Sequence, residues 1–263
     1  MPKLAANLVW LFTDVPFLDR FAAAAKAGFK YVEFLIPYEY PAEQIKELLD
    51  RNGLKVVLYN LPNGNNWAGG DRGIAASPNR IEEFRAGVKT ALTYAKIQGV
   101  PRVNCLSGKM VPGYSLEEHR KTMVENLRFA ADALGEIGVK VVIEHCNTYT
   151  IPGFMLTRVQ EVVDIIAEAK RPNIYVQYDI YHAQRTEGNL AQILRDHMSL
   201  IDHIHVADTP GRHQPGTGEI NYRFLFAEMD RLGYKECVGM EYEPQPDTLS
   251  SFGWIKEYGC RLS

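Results

Sequence analysis

Apolar residues fall along the chain in two alternating patterns. Short unbroken runs such as Val141-Val142-Ile143 show no polar alternation, so both faces of the strand they predict must be covered, as in a parallel sheet. Between such runs, apolar residues return every three or four positions; Ile81, Phe84, Val88, Leu92 and Ala95 draw one stripe along a predicted helix at 79–98. The pattern predicts strands at 4–12, 31–36, 55–61, 102–106, 140–147, 174–181, 201–207 and 237–242. Helices are predicted from Asp14 to Gly28, from Pro41 to Asn52-Gly53, at 79–98 and 115–137, from Thr157 to Pro172, and at 189–197, 222–232 and 248–258. Pro16 suits a first helical turn, Gly28 a helix stop, and Ser115 with Glu118 has capping-box spacing.

Regular alternation of strand and helix implies parallel strands, because each helix returns the chain to the same end of the sheet. The eight predicted units leave no gap for a second domain, which favours a single (β/α)8 TIM barrel over residues 1–263. An open doubly wound sheet is the alternative, but no glycine-rich phosphate turn follows the first strand. Two stretches stay irregular: 62–78, containing NGNNWAGGDRG, and the loop DTPGRHQPGTGEINY after 207. Long loops in compact domains are usually functional, and the 62–78 loop is expected to close over the site as a lid.

The strands carry a second regularity. Four of them end in residue types that bind metals: Glu144, Asp179, His205 and Glu241, on the fifth to eighth strands. In a barrel of this kind the active site lies at the C-terminal ends of the strands, so the four side chains are expected to converge on one divalent cation. A carboxylate at the end of a buried strand is costly without a partner, and three together would repel. Three carboxylates and one imidazole suit Mg²⁺, Mn²⁺ or Co²⁺ better than a thiolate-preferring ion. Taken singly, each is more often a solvated or salt-bridged group; their joint appearance on consecutive strands points to the metal. His182 and Arg212 lie close enough in sequence to reach a bound substrate, and arginine matches a carboxylate through paired hydrogen bonds. His203 shares the face of His205 and competes with it for the ligand role. Asn7, Glu33 and Asn60 are further polar groups on strands, and Trp10, Phe12, Tyr38 and Trp67 are candidates for an apolar wall.

Composition narrows the partners. The net charge of −3 comes without a basic run, which disfavours nucleic acid. No stretch approaches the roughly 18 apolar residues of a membrane span. The N-terminus reads as a first strand and not a signal peptide, since it has no long apolar region and no small-residue cleavage site. Cys105, Cys146, Cys237 and Cys260 show no CxxC pairing, as expected of reduced thiols in a cytoplasmic protein. A small-molecule substrate is therefore expected, with self-association left open.

Seven motifs carry a resemblance: VEFLIPY (32–38), WAGGDRGIAA (67–76), NCLSG (104–108), VVIEHCN (141–147), YDIYHAQ (178–184), HVADTPGRHQPGTGEINY (205–222) and GMEYEP (239–244). Together they resemble the hydroxypyruvate isomerases of the xylose isomerase-like barrel superfamily, over essentially the whole chain. The resemblance implies Glu144, Asp179 and Glu241 as metal ligands, Glu144 and Glu241 as the proton-transfer pair, and His182 and Arg212 as substrate contacts. It implies interconversion of hydroxypyruvate and tartronate semialdehyde through an enediolate, with the cation as Lewis acid. His205 departs from the pattern: these isomerases commonly carry Gln there, whereas ketose 3-epimerases use His. Related members act on 2-oxo-tetronates. A 3-epimerase acting on a neutral ketose, an apurinic endonuclease and a non-catalytic metal-binding barrel are the competing readings. The endonuclease would need extra histidines on the third and fourth strands, where this chain has Asn60 and NCLSG.

Overall fold

The computed structural model describes residues 2–64 and 70–262. Among them, β1 (Lys3–Asn7), β2 (Tyr31–Glu33), β3 (Lys55–Asn60), β4 (Arg102–Asn104), β5 (Lys140–Glu144), β6 (Ile174–Asp179), β7 (Ile201–Val206) and β8 (Cys237–Met240) pair in chain order and close into one parallel barrel. The seam is made by β1 and β8, with Lys3 opposite Cys237 and Ala6 opposite Met240. The helices are α1 (Arg20–Lys26), α2 (Ala42–Arg51), α3 (Ile81–Gln98), α4 (Leu116–Gly135), α5 (Val159–Ala169), α6 (Ile180–Thr186), α7 (Leu190–His197), α8 (Tyr222–Arg231) and α9 (Gly253–Glu257). No helix among the described residues is long and apolar enough to cross a membrane.

The unbroken apolar runs are explained by the two faces of each strand. In β5, Val141 and Ile143 belong to the large core between sheet and helices, while Val142 belongs to a small cluster with Ala5, Val57, Leu58 and Cys237. Val142 shares its face with Glu144, and Ala5 shares its face with Asn7. In β1 and β5 the small cluster therefore lies on the same strand faces as the polar groups above it. At the other end Arg102 is buried, donating through Nε to Asp202 Oδ2 at 2.5 Å and through Nη2 to Glu236. The helices close the outside: of the stripe predicted on α3, Phe84, Val88 and Ala95 are buried and Ile81 and Leu92 half-buried, with Ala91 buried beside them. Ser115 and Glu118 form the capping box of α4.

The observed strands are shorter than the predicted ones, because pairing stops where the chain turns outward into the loops of the upper face. The clearest difference follows β6. The apolar pair Ile180-Tyr181 reads as strand, but the Asp179 side chain accepts from the His182 backbone N–H at 2.9 Å and starts α6 there. The predicted first helix begins with a 3₁₀ turn at Phe17–Asp19, and the predicted last one is split into a 3₁₀ turn, Ser250–Phe252, and α9.

The irregular 62–78 stretch is largely built into the structure. Ile74, Ala75, Ala76 and Ser77 are buried, and the N–H groups of Ala75 and Ala76 donate to the carbonyls of Leu106 and Ser107. Gly73 has φ +99° and packs so closely on Leu106 that an added Cβ would stand 2.4 Å from its carbonyl oxygen. Arg80 holds Asp71 through two hydrogen bonds of 2.7 and 2.9 Å. The part of the expected lid from Gly70 to Pro78 is thus tied to the body of the barrel at Asp71, Gly73, Ala75 and Ala76, and residues 65–69 lie outside the described residues.

Candidate active site

The parallel register brings the four strand-end residues together. Glu144 and Asp179 are the last residues of β5 and β6, His205 is paired with Asp179 across β6 and β7, and Glu241 follows β8 directly. All four are buried, and each offers a ligand atom within 4.8 Å of the others'. Three carboxylate oxygens and one imidazole nitrogen form a donor set suited to a small hard divalent cation. The electrostatics fit one as well. Burial, only partly offset by Arg212, pushes the Asp179 carboxyl up, and Glu241 and Glu144 push it the same way. Burial also opposes ionisation of Glu241, but Arg212 and His205 outweigh it and hold that carboxyl down.

A layer of polar groups lies on the barrel side of these four. His205 turns Nδ1 towards Glu144 Oε1 (3.6 Å) and Glu241 Oε2 (3.4 Å), and its Nε2 lies 3.0 Å from Glu33 Oε1. Glu33 also meets His203 Nε2 at 2.8 Å and accepts from Asn7 Nδ2 at 2.9 Å. Burial would raise the Glu33 carboxyl, but His205 and His203 hold it well below the usual carboxylate range. A carboxylate behind a ligating histidine fixes which ring nitrogen faces the metal. His203 is therefore spent on Glu33 and stands apart from the four-residue group. Space for Glu33 is made by a glycine: a Cβ on Gly239 would stand 2.2 Å from Glu33 Oε1. Asn104 Nδ2 donates to Glu144 Oε2 at 3.0 Å, and Gln177 Nε2 stands 3.3 Å from His205 Nδ1.

Both candidate substrate contacts reach this pocket. His182, on the first turn of α6, places Nε2 3.8 Å from Asp179 Oδ2. Arg212 bonds Glu241 through Nη2 and lies 3.7 Å from Asp179 Oδ2. Its guanidinium is held between the rings of Trp10 (4.8 Å to the centroid) and Tyr181 (5.0 Å), and its buried Nε has no partner. Arg212 itself takes a left-handed conformation, φ +59°, uncommon for a side-chain-bearing residue and often found at functional sites. Asp208 builds the loop that carries it, accepting from the backbone N–H groups of Thr209 (2.9 Å), Gly216 (2.8 Å) and Ile220 (3.1 Å). Its own carbonyl accepts from Arg212 N at 2.9 Å.

The predicted aromatic wall is dispersed. Trp10 covers Arg212, Phe12 packs on Phe29 and Phe252, and Tyr38 donates to the Asn60 carbonyl at 2.7 Å. Trp67 lies outside the described residues. Five site residues escape the sequence pattern or stay unassigned in it: Trp10 as the cover of Arg212, Asn104, Gln177, Asp208, and Asn147, which binds His182. Gln177 lies two residues before Asp179 on the same strand face, and Asn104 ends β4, so a period-two reading finds both. Trp10 is expected in an apolar wall, and no local signal marks its contact with Arg212.

The sequence profile described as a xylose isomerase-like TIM barrel matches residues 21–258. The 2-oxo-tetronate isomerase of Pectobacterium atrosepticum is 45% identical over 98% of each chain. The hydroxypyruvate isomerase of Escherichia coli is 44% identical over 98% of this chain and 100% of its own. A solved Brucella melitensis structure, described as an AP endonuclease of family 2, superposes with a TM-score of 0.95 at 40% identity, covering 98% of this chain and 99% of that one. The chain belongs to the xylose isomerase-like TIM-barrel family and is an isomerase of its hydroxypyruvate isomerase-like group.

Proposed function

We propose that the protein, one domain over 1–263, isomerises a short 2-oxo acid by metal-assisted proton transfer, with hydroxypyruvate and tartronate semialdehyde as the substrate pair. The observation that carries this reading is the placement of Arg212 against a buried group of three carboxylates and one imidazole. Glu144, Asp179, His205 and Glu241 would hold a divalent cation, Mg²⁺ or Mn²⁺, with Co²⁺ also suited. When bound, the cation supplies Lewis-acid polarisation of the substrate carbonyl. Arg212 receives the substrate carboxylate, exchanging its contact with Glu241 for it, and its unpartnered Nε–H is a ready second donor. His182 donates to a substrate oxygen. One of Glu144 and Glu241 removes a proton from the hydroxymethyl carbon, and the other returns a proton at the neighbouring carbon. Two carboxylates flanking a planar intermediate suit this exchange.

A 2-oxo-tetronate is the second reading, because relatives carrying that name match at 45% identity beside 44% for the hydroxypyruvate isomerase. A neutral ketose, the third reading, has no carboxylate to take the place of Glu241 on Arg212, and activity on an uncharged ketose with none on hydroxypyruvate would favour it. The name of the Brucella relative raises phosphodiester hydrolysis, but β3 and β4 end in Asn60 and Asn104, where that chemistry calls for histidines. Four free thiols fit a reducing cytoplasm.

The test is turnover of hydroxypyruvate and of a 2-oxo-tetronate after stripping with EDTA and re-addition of Mg²⁺ or Mn²⁺, with Glu241→Gln in parallel. Metal-restored turnover, reduced by about 10²–10⁴-fold in the variant, is expected. A folded, metal-loaded wild type that turns over neither acid would overturn the proposal.

A further inference from the structure

The ring of His182 has two nitrogens with different surroundings. Nδ1 meets the backbone N–H of Asn147 at 3.0 Å. A backbone N–H can only donate, so Nδ1 turns a lone pair towards it. The Asn147 side chain repeats the message. Its Oδ1 accepts from the backbone N–H of Thr150 at 2.9 Å and from Thr150 Oγ1 at 3.1 Å. The Thr150 N–H is again an obligatory donor, so the atom it meets is the amide oxygen, and the amide nitrogen is the one that faces His182. That Nδ2 lies 2.7 Å from His182 Nδ1. Two donors from one residue thus converge on one imidazole nitrogen, in a place where Asn147 and His182 are both buried. A proton on Nδ1 would face two N–H groups with no acceptor. Of the two tautomers, the one with its proton on Nε2 therefore fits the hydrogen-bond geometry and the Nδ1–H form does not.

We infer that Asn147 is a positioning residue that holds His182 with the Nδ1 lone pair turned to Asn147 and a proton on Nε2, so that His182 meets substrate as a hydrogen-bond donor. The lock spans the barrel top. Asn147 lies three residues beyond β5, and His182 sits on α6 with its own N–H bound to Asp179 Oδ1. The ring is tied to two neighbouring strand ends, and its Nε2–H points to the pocket edge beside Asp179. Proton traffic is left to the carboxylates. Only this kinetic consequence rests on the isomerase reading; the tautomer does not.

Two variants separate the lock from ordinary packing. Asn147→Asp keeps the shape and the oxygen that serves Thr150, but presents an acceptor to Nδ1 and draws the proton there. Asn147→Ala removes the side chain and leaves the backbone N–H in place, so the tautomer is kept. In long-range ¹H–¹⁵N spectra of histidine-labelled, Mg²⁺-loaded protein, wild type and Asn147→Ala should show His182 protonated on Nε2 alone across the neutral pH range. Asn147→Asp should show a proton on Nδ1. With hydroxypyruvate, kcat should fall by about 100-fold in Asn147→Asp and by about 10-fold or less in Asn147→Ala, with smaller changes in KM. A residue that only fills space would give the reverse order, since alanine removes more contact. A wild-type spectrum with the proton on Nδ1, or a larger kcat loss in Asn147→Ala, overturns the inference. The wild-type spectrum decides the point even if a variant fails to fold or the protein turns over neither 2-oxo acid.

Discussion

Glu33 is the side chain on which the geometry around the four candidate ligands most depends. Its two oxygens face Asn7, His203 and His205, all buried, at 2.8–3.0 Å. Replacing the carboxylate by an amide removes the charge that holds His205 with Nδ1 towards Glu144 and Glu241. Glu33→Gln should weaken Mn²⁺ binding by about 10–100-fold, read by calorimetry. An unchanged affinity would mean that another group orients His205. The four candidate ligands were legible in the sequence because each closes an apolar strand, and a charge in that position must meet something at the barrel mouth. The cover of Trp10 over Arg212 was not legible, because it depends on loops from opposite ends of the chain meeting above the seam of β1 and β8.

Among the helices, α7 and α8 are joined through Glu228. Its carboxylate binds Arg231 of its own helix and Arg195 of α7, with contacts of 2.6 and 2.5 Å. Arg231 and Arg195 hold it down to about 2, against an ordinary 4.5. A carboxyl lowered on folding stabilises the folded state above its unfolded pKa, and that contribution is lost as pH falls through the folded value. The difference in Tm between wild type and Glu228→Gln should therefore be present at neutral pH and shrink as pH drops from about 4.5 towards 2. A difference independent of pH would show that packing, not charge, joins the two helices. At this scale the periodicity located the helices well, but it missed α6. Ile180 and Tyr181 are good strand residues, and only the Asp179 cap turns them into helix.

At the scale of the whole molecule, a cation held by the four candidate ligands would couple its binding to stability. A cation that binds only the folded chain at 100 times its Kd adds about 2.7 kcal/mol. Because the ligands come from β5, β6, β7 and β8, that gain should appear as a rise of several degrees in Tm on adding Mn²⁺ to EDTA-treated protein. Equal Tm values with and without the ion would mean that the four side chains do not hold it. The sequence by itself determined the alternation of strand and helix, the closed barrel it implies, and the ligand types at the strand ends, because period and terminus are local properties of a chain. It located Arg212 and His182 by their distance in sequence from those ends. Tertiary structure alone decided which nitrogen of His205 faces Glu144 and Glu241, that Glu33 lies between His203 and His205, and that Gly73, Ala75 and Ala76 are pinned to the loop after β4. Those outcomes rest on hydrogen bonds between residues far apart in the chain, whose partners are fixed only when the barrel closes.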